Sequence, residues 1–81
     1  MIINIKDILT LDDNNEYVVI SKVKHNNKDY YYLIDKNNNK NIKFCYGDND
    51  ELVEIVDKEL ITLLLPLFVN SISEELSSEE N

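Results

Sequence analysis

The run Asp29-Tyr30-Tyr31-Tyr32-Leu33-Ile34-Asp35 constrains the fold of this chain more than any other stretch. Three consecutive tyrosines followed by Leu-Ile supply the aromatic and branched bulk that suits a pleated, half-buried surface, and polar turns bound the run on both sides. It is expected to be the central strand of a meander whose other strands are residues 17–24 and 41–46. Tyr30, Tyr32 and Ile34 then face one way, and Tyr31, Leu33 and Asp35 the other. Both faces are mostly apolar, as in a strand covered on both sides or one whose outer face meets a partner. Core packing with one outward tyrosine is expected, and Tyr31 is the candidate for that ring and for an interface anchor.

The remaining elements follow from periodicity and turn chemistry. A short strand is expected near residues 8–11, closed by the turn Asp12-Asp13-Asn14-Asn15. In 17–24, Tyr17, Val19, Ser21 and Val23 fall on one face and Val18, Ile20, Lys22 and Lys24 on the other. His25-Asn26-Asn27-Lys28 makes the next turn, and Lys36-Asn37-Asn38-Asn39-Lys40-Asn41 a polar loop. Ile42, Phe44 and Tyr46 alternate with Lys43 and Cys45, the clearest period of two in the chain. Gly47-Asp48-Asn49-Asp50 should turn the chain with Gly47 supplying positive φ, before a last strand over 51–56.

Asp57 is a credible N-cap for a helix reaching Ile72, with Leu60, Ile61, Leu64, Leu65, Phe68 and Ile72 forming an apolar stripe. Leu63, Leu67 and Val69 widen that stripe around most of the helix. Pro66 removes a backbone hydrogen bond and crowds the carbonyl of Thr62, which predicts a kink or two short helices meeting near Leu65. The expected architecture is α+β: an antiparallel meander of four to five strands with the C-terminal helix across one face. Residues 1–72 form the single domain, and 73–81 an acidic tail expected to be disordered.

Composition narrows the function. Residues 1–46 hold seven lysines against six acids, a net of +1, whereas 47–81 hold ten acids against Lys58, a net of −9; the whole chain carries −8. Acidity of this kind repels phosphates, so direct nucleic-acid binding is not expected and a basic protein surface is the natural partner. The single cysteine, Cys45, suits a reducing compartment. With no secretory leader and no apolar run long enough for a membrane span, a cytoplasmic location and no membrane partner are expected.

No nucleophile, base and orienting group assemble from the residues present, so catalysis is not expected, and neither is a cofactor or a metal. His25 lies in a turn without a second histidine or a carboxylate constellation. Cys45 reads as a strand residue, with Lys43 on the same face the only feature that could lower its pKa. Asp48, Asp50, Glu51 and Glu54 do not match the twelve-residue calcium loop. The tyrosine triplet lacks the arginines and sheet motifs that accompany a base-stacking platform. The sharper reading joins Asp48, Asp50, Glu51, Glu54, Asp57 and Glu59 into a negative surface that presents carboxylates where a partner expects phosphates.

Glu16-Tyr17-Val18-Val19, the 28–35 run, Ile42-Lys43-Phe44, Glu51-Leu52-Val53-Glu54-Ile55 and the acidic C-terminal helix together resemble a family of short acidic bacterial and phage proteins of unknown function. The resemblance spans roughly residues 9–76. It departs from that family in its lysine-rich meander and in Leu64-Leu65-Pro66-Leu67-Phe68, where a charged helix is usual. It implies a fold and no activity. Small size, acidity and the Lys/Asn/Ile bias of an AT-rich coding sequence are also similar in type to phage-encoded inhibitors of host defence nucleases, the anti-CRISPR and anti-restriction class. The expected function is thus a non-catalytic protein-binding module, an inhibitor blocking a basic nucleic-acid-binding surface of a host enzyme. The alternative is a small homodimeric structural or regulatory protein.

Overall fold

A computed structural model describes residues 2–79, with side chains described as far as Glu74. The elements are β1 (Ile8–Thr10), β2 (Glu16–His25), β3 (Lys28–Asp35), β4 (Asn38–Asp48), β5 (Glu51–Glu54) and α1 (Lys58–Glu79). The strands pair antiparallel in chain order, so the fold is the α+β meander with a C-terminal helix. Two hairpins turn on residue pairs with positive φ, Asn26-Asn27 (51° and 64°) and Asn49-Asp50 (49° and 68°). That backbone matches the twist of the strands it joins, and Asn and Asp tolerate it better than other residues with a side chain. Gly47, expected to supply positive φ, instead lies within β4 opposite Leu52. Amide and carboxylate side chains do here what glycine does elsewhere.

Two register breaks move residues between faces. In β2, Val19 pairs with Leu33 but Ser21 pairs with Tyr32, so Ile20 is a bulge that reverses the alternation. Tyr17 and Val19 therefore lie on one face and Ser21 and Val23 on the other, where all four were expected together. In the next hairpin, Ile34 opposes Ile42 whereas Asp35 opposes Asn38. The segment read as a loop is thus mostly strand, turned by Lys36-Asn37 alone, with Asn39, Lys40 and Asn41 forming the irregularity.

These breaks give the sheet two apolar faces. On one, Tyr17, Val19, Tyr31, Leu33 and Cys45 form a core with Ile3, supported by Leu9, Leu11 and Leu52, as the sheet curls into a half-barrel. The segment before β1 is tied to β2 by Lys6 N donating to Val19 O (2.8 Å) and Val19 N to Asp7 O (2.9 Å). Tyr31 is consequently 2 % exposed. It cannot be the outward ring proposed from the sequence, because the curl and the Ile3 segment cover the face expected to be open. Lys22 Nζ lies 5.9 Å from its ring centroid.

The other face receives α1. Leu64 and Phe68 are buried against Tyr30 and Ile55, with Val23, Tyr32, Phe44, Tyr46, Leu60 and Ile61 around them. Ser21 Oγ donates to the Phe68 carbonyl across this contact (3.4 Å). The bulge at Ile20 makes that bond possible by turning Ser21 towards the helix.

Asp57 caps α1 as expected, its Oδ1 accepting from Glu59 N (3.0 Å) and Leu60 N (3.4 Å). Asp57→Ala should cost about 1 kcal/mol, read as a lower urea midpoint with an unchanged slope. The helix runs unbroken through Pro66, so two separate helices do not form. Pro66 and Thr62 are both exposed, and the Thr62 carbonyl that loses its intrahelical donor faces the solvent side of the helix. Backbone helix also continues past Ser73 to Glu79, where a disordered tail was expected; Glu80 and Asn81 lie outside the described residues. Glutamate, leucine and serine carry no strong penalty against helix, and a helix already anchored upstream extends at low cost. Among the described residues no helix is long and apolar enough to cross a membrane.

Candidate functional site

Curling sets β1 and β5, the two edges of the sheet, on opposite sides of a groove of about 1060 Å³. Its apolar lining is the outer layer of the half-barrel core, including Leu9, Leu11, Cys45 and Leu52. Around that lining stand four carboxylates, Asp12, Asp13, Glu51 and Glu54, and one ammonium, Lys43. Asp12 and Asp13 come from the β1–β2 turn and Glu51 and Glu54 from β5. Residues some forty positions apart therefore share one rim.

Hydrogen bonds fix part of this rim. Tyr17 Oη donates to Asp13 Oδ2 (2.6 Å) and Asn15 N to Asp13 Oδ1 (3.0 Å), and the phenol bond, then the amide, hold the Asp13 carboxyl below its ordinary range. Burial, then the acceptor Asp13, push the Tyr17 phenol up. Asn41 Nδ2 donates both to Tyr17 Oη (2.9 Å) and to Asp35 Oδ2 (3.0 Å), while Asn37 N donates to Asp35 Oδ1 (2.8 Å). A chain of bonds thus runs from the rim at Asp13 to the buried Asp35. No buried side-chain nitrogen or oxygen among the described residues lacks a partner.

Lys43 Nζ donates to Glu54 (3.3 Å to Oε2), and that bond, with the charge of Glu54, raises the lysine's pKa. Glu54 is therefore partly neutralised, while Glu51 and Asp12 stand exposed. Cys45 beneath them is pushed up to about 11, by burial first and Glu54 second, with Lys43 opposing. Such a thiol is a packing group and not a nucleophile at neutral pH. His25 closes the β2–β3 hairpin at the opposite end of β2 from Tyr17, its ring 6.4 Å from Tyr30.

The acidic residues singled out in the sequence fall on or beside three elements. Asp48, Asp50 and Glu51 cluster at the β4–β5 turn and Glu54 follows on β5, but Asp57 is committed to capping α1 and Glu59 lies in its first turn. Glu51 and Glu54 share the groove with Asp12 and Asp13, which turn chemistry alone marks only as turn residues. Curl is what brings them together, and its local signal, the bulge at Ile20, leaves no mark in a pattern already apolar on both faces. No family model matches the chain, and neither a curated protein nor a solved structure does.

Proposed function

We propose that this chain is a non-catalytic protein-binding module whose acidic groove engages a lysine- and arginine-bearing surface of another protein, of the kind that accepts nucleic-acid phosphates in a processing enzyme. One observation carries the reading: four carboxylates and a single lysine rim an apolar-floored groove between two edge strands. The adjoining hairpin turn adds Asp48 and Asp50. Carboxylates at a rim steer encounter with a basic partner and make the association salt-dependent, while the apolar lining supplies contact that salt does not screen. The non-catalytic reading is supported by the engagement of Asp13 by Tyr17 and of Glu54 by Lys43, and by burial raising the Cys45 thiol.

The test is capture of a partner from the host cell, followed by competition. The captured protein should bind nucleic acid, and this chain should displace that nucleic acid. Affinity should fall steeply as salt rises, and Asp12→Lys with Glu51→Lys should weaken it by about tenfold or more. Salt-insensitive binding, or a ternary complex of chain, partner and nucleic acid, would overturn the reading.

A further inference from the structure

The outer face of α1 is unlike the rest of the surface. From Leu60 to Ser73 the helix contains no charged residue, in a chain that carries −8. Leu64 and Phe68 from this stretch are buried, yet Leu63 is 53 % and Val69 58 % exposed, and Leu65 and Leu67 are partly open. Along the centre of the open side, Thr62, Pro66, Val69 and Ser73 line a shallow depression. Their spacing of four, three and four residues is that of a helix–helix seam, and their small or compact side chains permit close approach.

We propose that this face is the interface of a homodimer in which two copies of α1 pack antiparallel, the two-fold axis passing between Leu67 and Phe68. Two features select a second copy as the occupant. Acidic chains of equal charge repel least through a face without charge, and that face offers nothing to draw a basic partner. The helix also holds its only lysine, Lys58, at its first residue, four before Thr62 and so on the seam, with Asp57 and Glu59 flanking it off the seam, and Glu74, Glu75 and Glu79 in its last turns. Antiparallel packing sets Lys58 of each copy beside the acidic end of the other and opposes the two helix dipoles, whereas parallel packing sets like charges together. The acidic groove lies on the other face of the sheet, so dimerisation leaves it open and stands independently of the function proposed above.

Sedimentation velocity from low to high micromolar concentration should show a monomer–dimer equilibrium. Val69→Lys, at an exposed position that leaves the fold intact by circular dichroism, should weaken it by at least about tenfold. Orientation is read by cysteine cross-linking, since Cys45 is buried and does not compete. A mixture of Thr62→Cys and Ser73→Cys chains should form the mixed disulfide. Thr62→Cys alone should not, because eleven residues of helical rise put its two copies about 16 Å apart, far beyond disulfide reach. A chain that stays monomeric throughout, a Val69→Lys variant that dimerises like the parent, or ready cross-linking of Thr62→Cys to itself would each overturn the proposal.

Discussion

Phe68→Ala is expected to leave the chain largely unfolded at 25 °C. Phe68 is fully buried, its ring centroid 5.8 Å from Tyr32 in an edge-on contact and 5.9 Å from Phe44. Removing a buried phenylalanine costs about 3 to 5 kcal/mol in transfer and cavity terms, and aromatic contacts of this geometry contribute beyond area alone. A domain of this size has roughly 3 to 5 kcal/mol in all. The two figures are of the same size, so the variant should lose its near-ultraviolet circular dichroism and its cooperative urea transition. Val69→Ala, one residue along and on the exposed face, should shift stability by no more than about 0.5 kcal/mol. The contrast matters more than either value. If both variants lost similar, small amounts, α1 would not be docked through Phe68, and the division of the helix into a buried and an open side would be wrong.

That division is also where the sequence was most and least informative. The apolar positions at spacings of three and four, Leu60, Ile61, Leu64 and Phe68, mark the docked side correctly, and Asp57 marks the start of the helix. Leu65 belongs to the same pattern but lies partly open, because a stripe that wraps most of a helix cannot say where the sheet ends. The tyrosine triplet was legible as a strand with two apolar faces, which left open both cover on the two sides and an outward Tyr31. Which element covers Tyr31 was not, since Ile3 lies ahead of the first expected strand. Ser21 shows the deeper difficulty: a one-residue bulge exchanges the two faces of a strand, and alternation is the only cue sequence offers to facing. The groove inherits that difficulty. Asp12 and Glu51 meet through curl and twist, which belong to the sheet as a whole, whereas the ion pair of Lys43 with Glu54 follows from the pairing of β4 with β5, as their neighbour Cys45 stands opposite Glu54.

Cys45 should make the fold sensitive to alkali well before the tyrosines do. Its thiol has an ordinary pKa of 9.0 and is pushed up to about 11 in the folded protein, chiefly because burial disfavours the thiolate. Between those values the unfolded chain has released the proton and the folded chain has not. The contribution is therefore complete below pH 9 and is lost as pH rises through 11. Each unit corresponds to about 1.4 kcal/mol. By pH 10 about 1 kcal/mol should be gone, rising towards roughly 3 kcal/mol above pH 11, a large part of what so small a domain has. Tyr17 and Tyr31, whose phenols are also raised by burial from 10.0, join only from pH 10 upward. Urea titrations at pH 7.5 and pH 10 separate the contributions. Cys45→Ala should start less stable because it leaves a cavity, yet should lose less than the parent between the two pH values, by about 1 kcal/mol or more. Alkylation adds a second reading, since a thiol this buried should react with iodoacetamide at pH 8 only as fast as the fold opens. Equal losses in parent and variant, or rapid alkylation of the folded chain, would mean that the groove floor admits water to the sulfur and that its apolar lining is not the closed layer on which the rim of carboxylates is built.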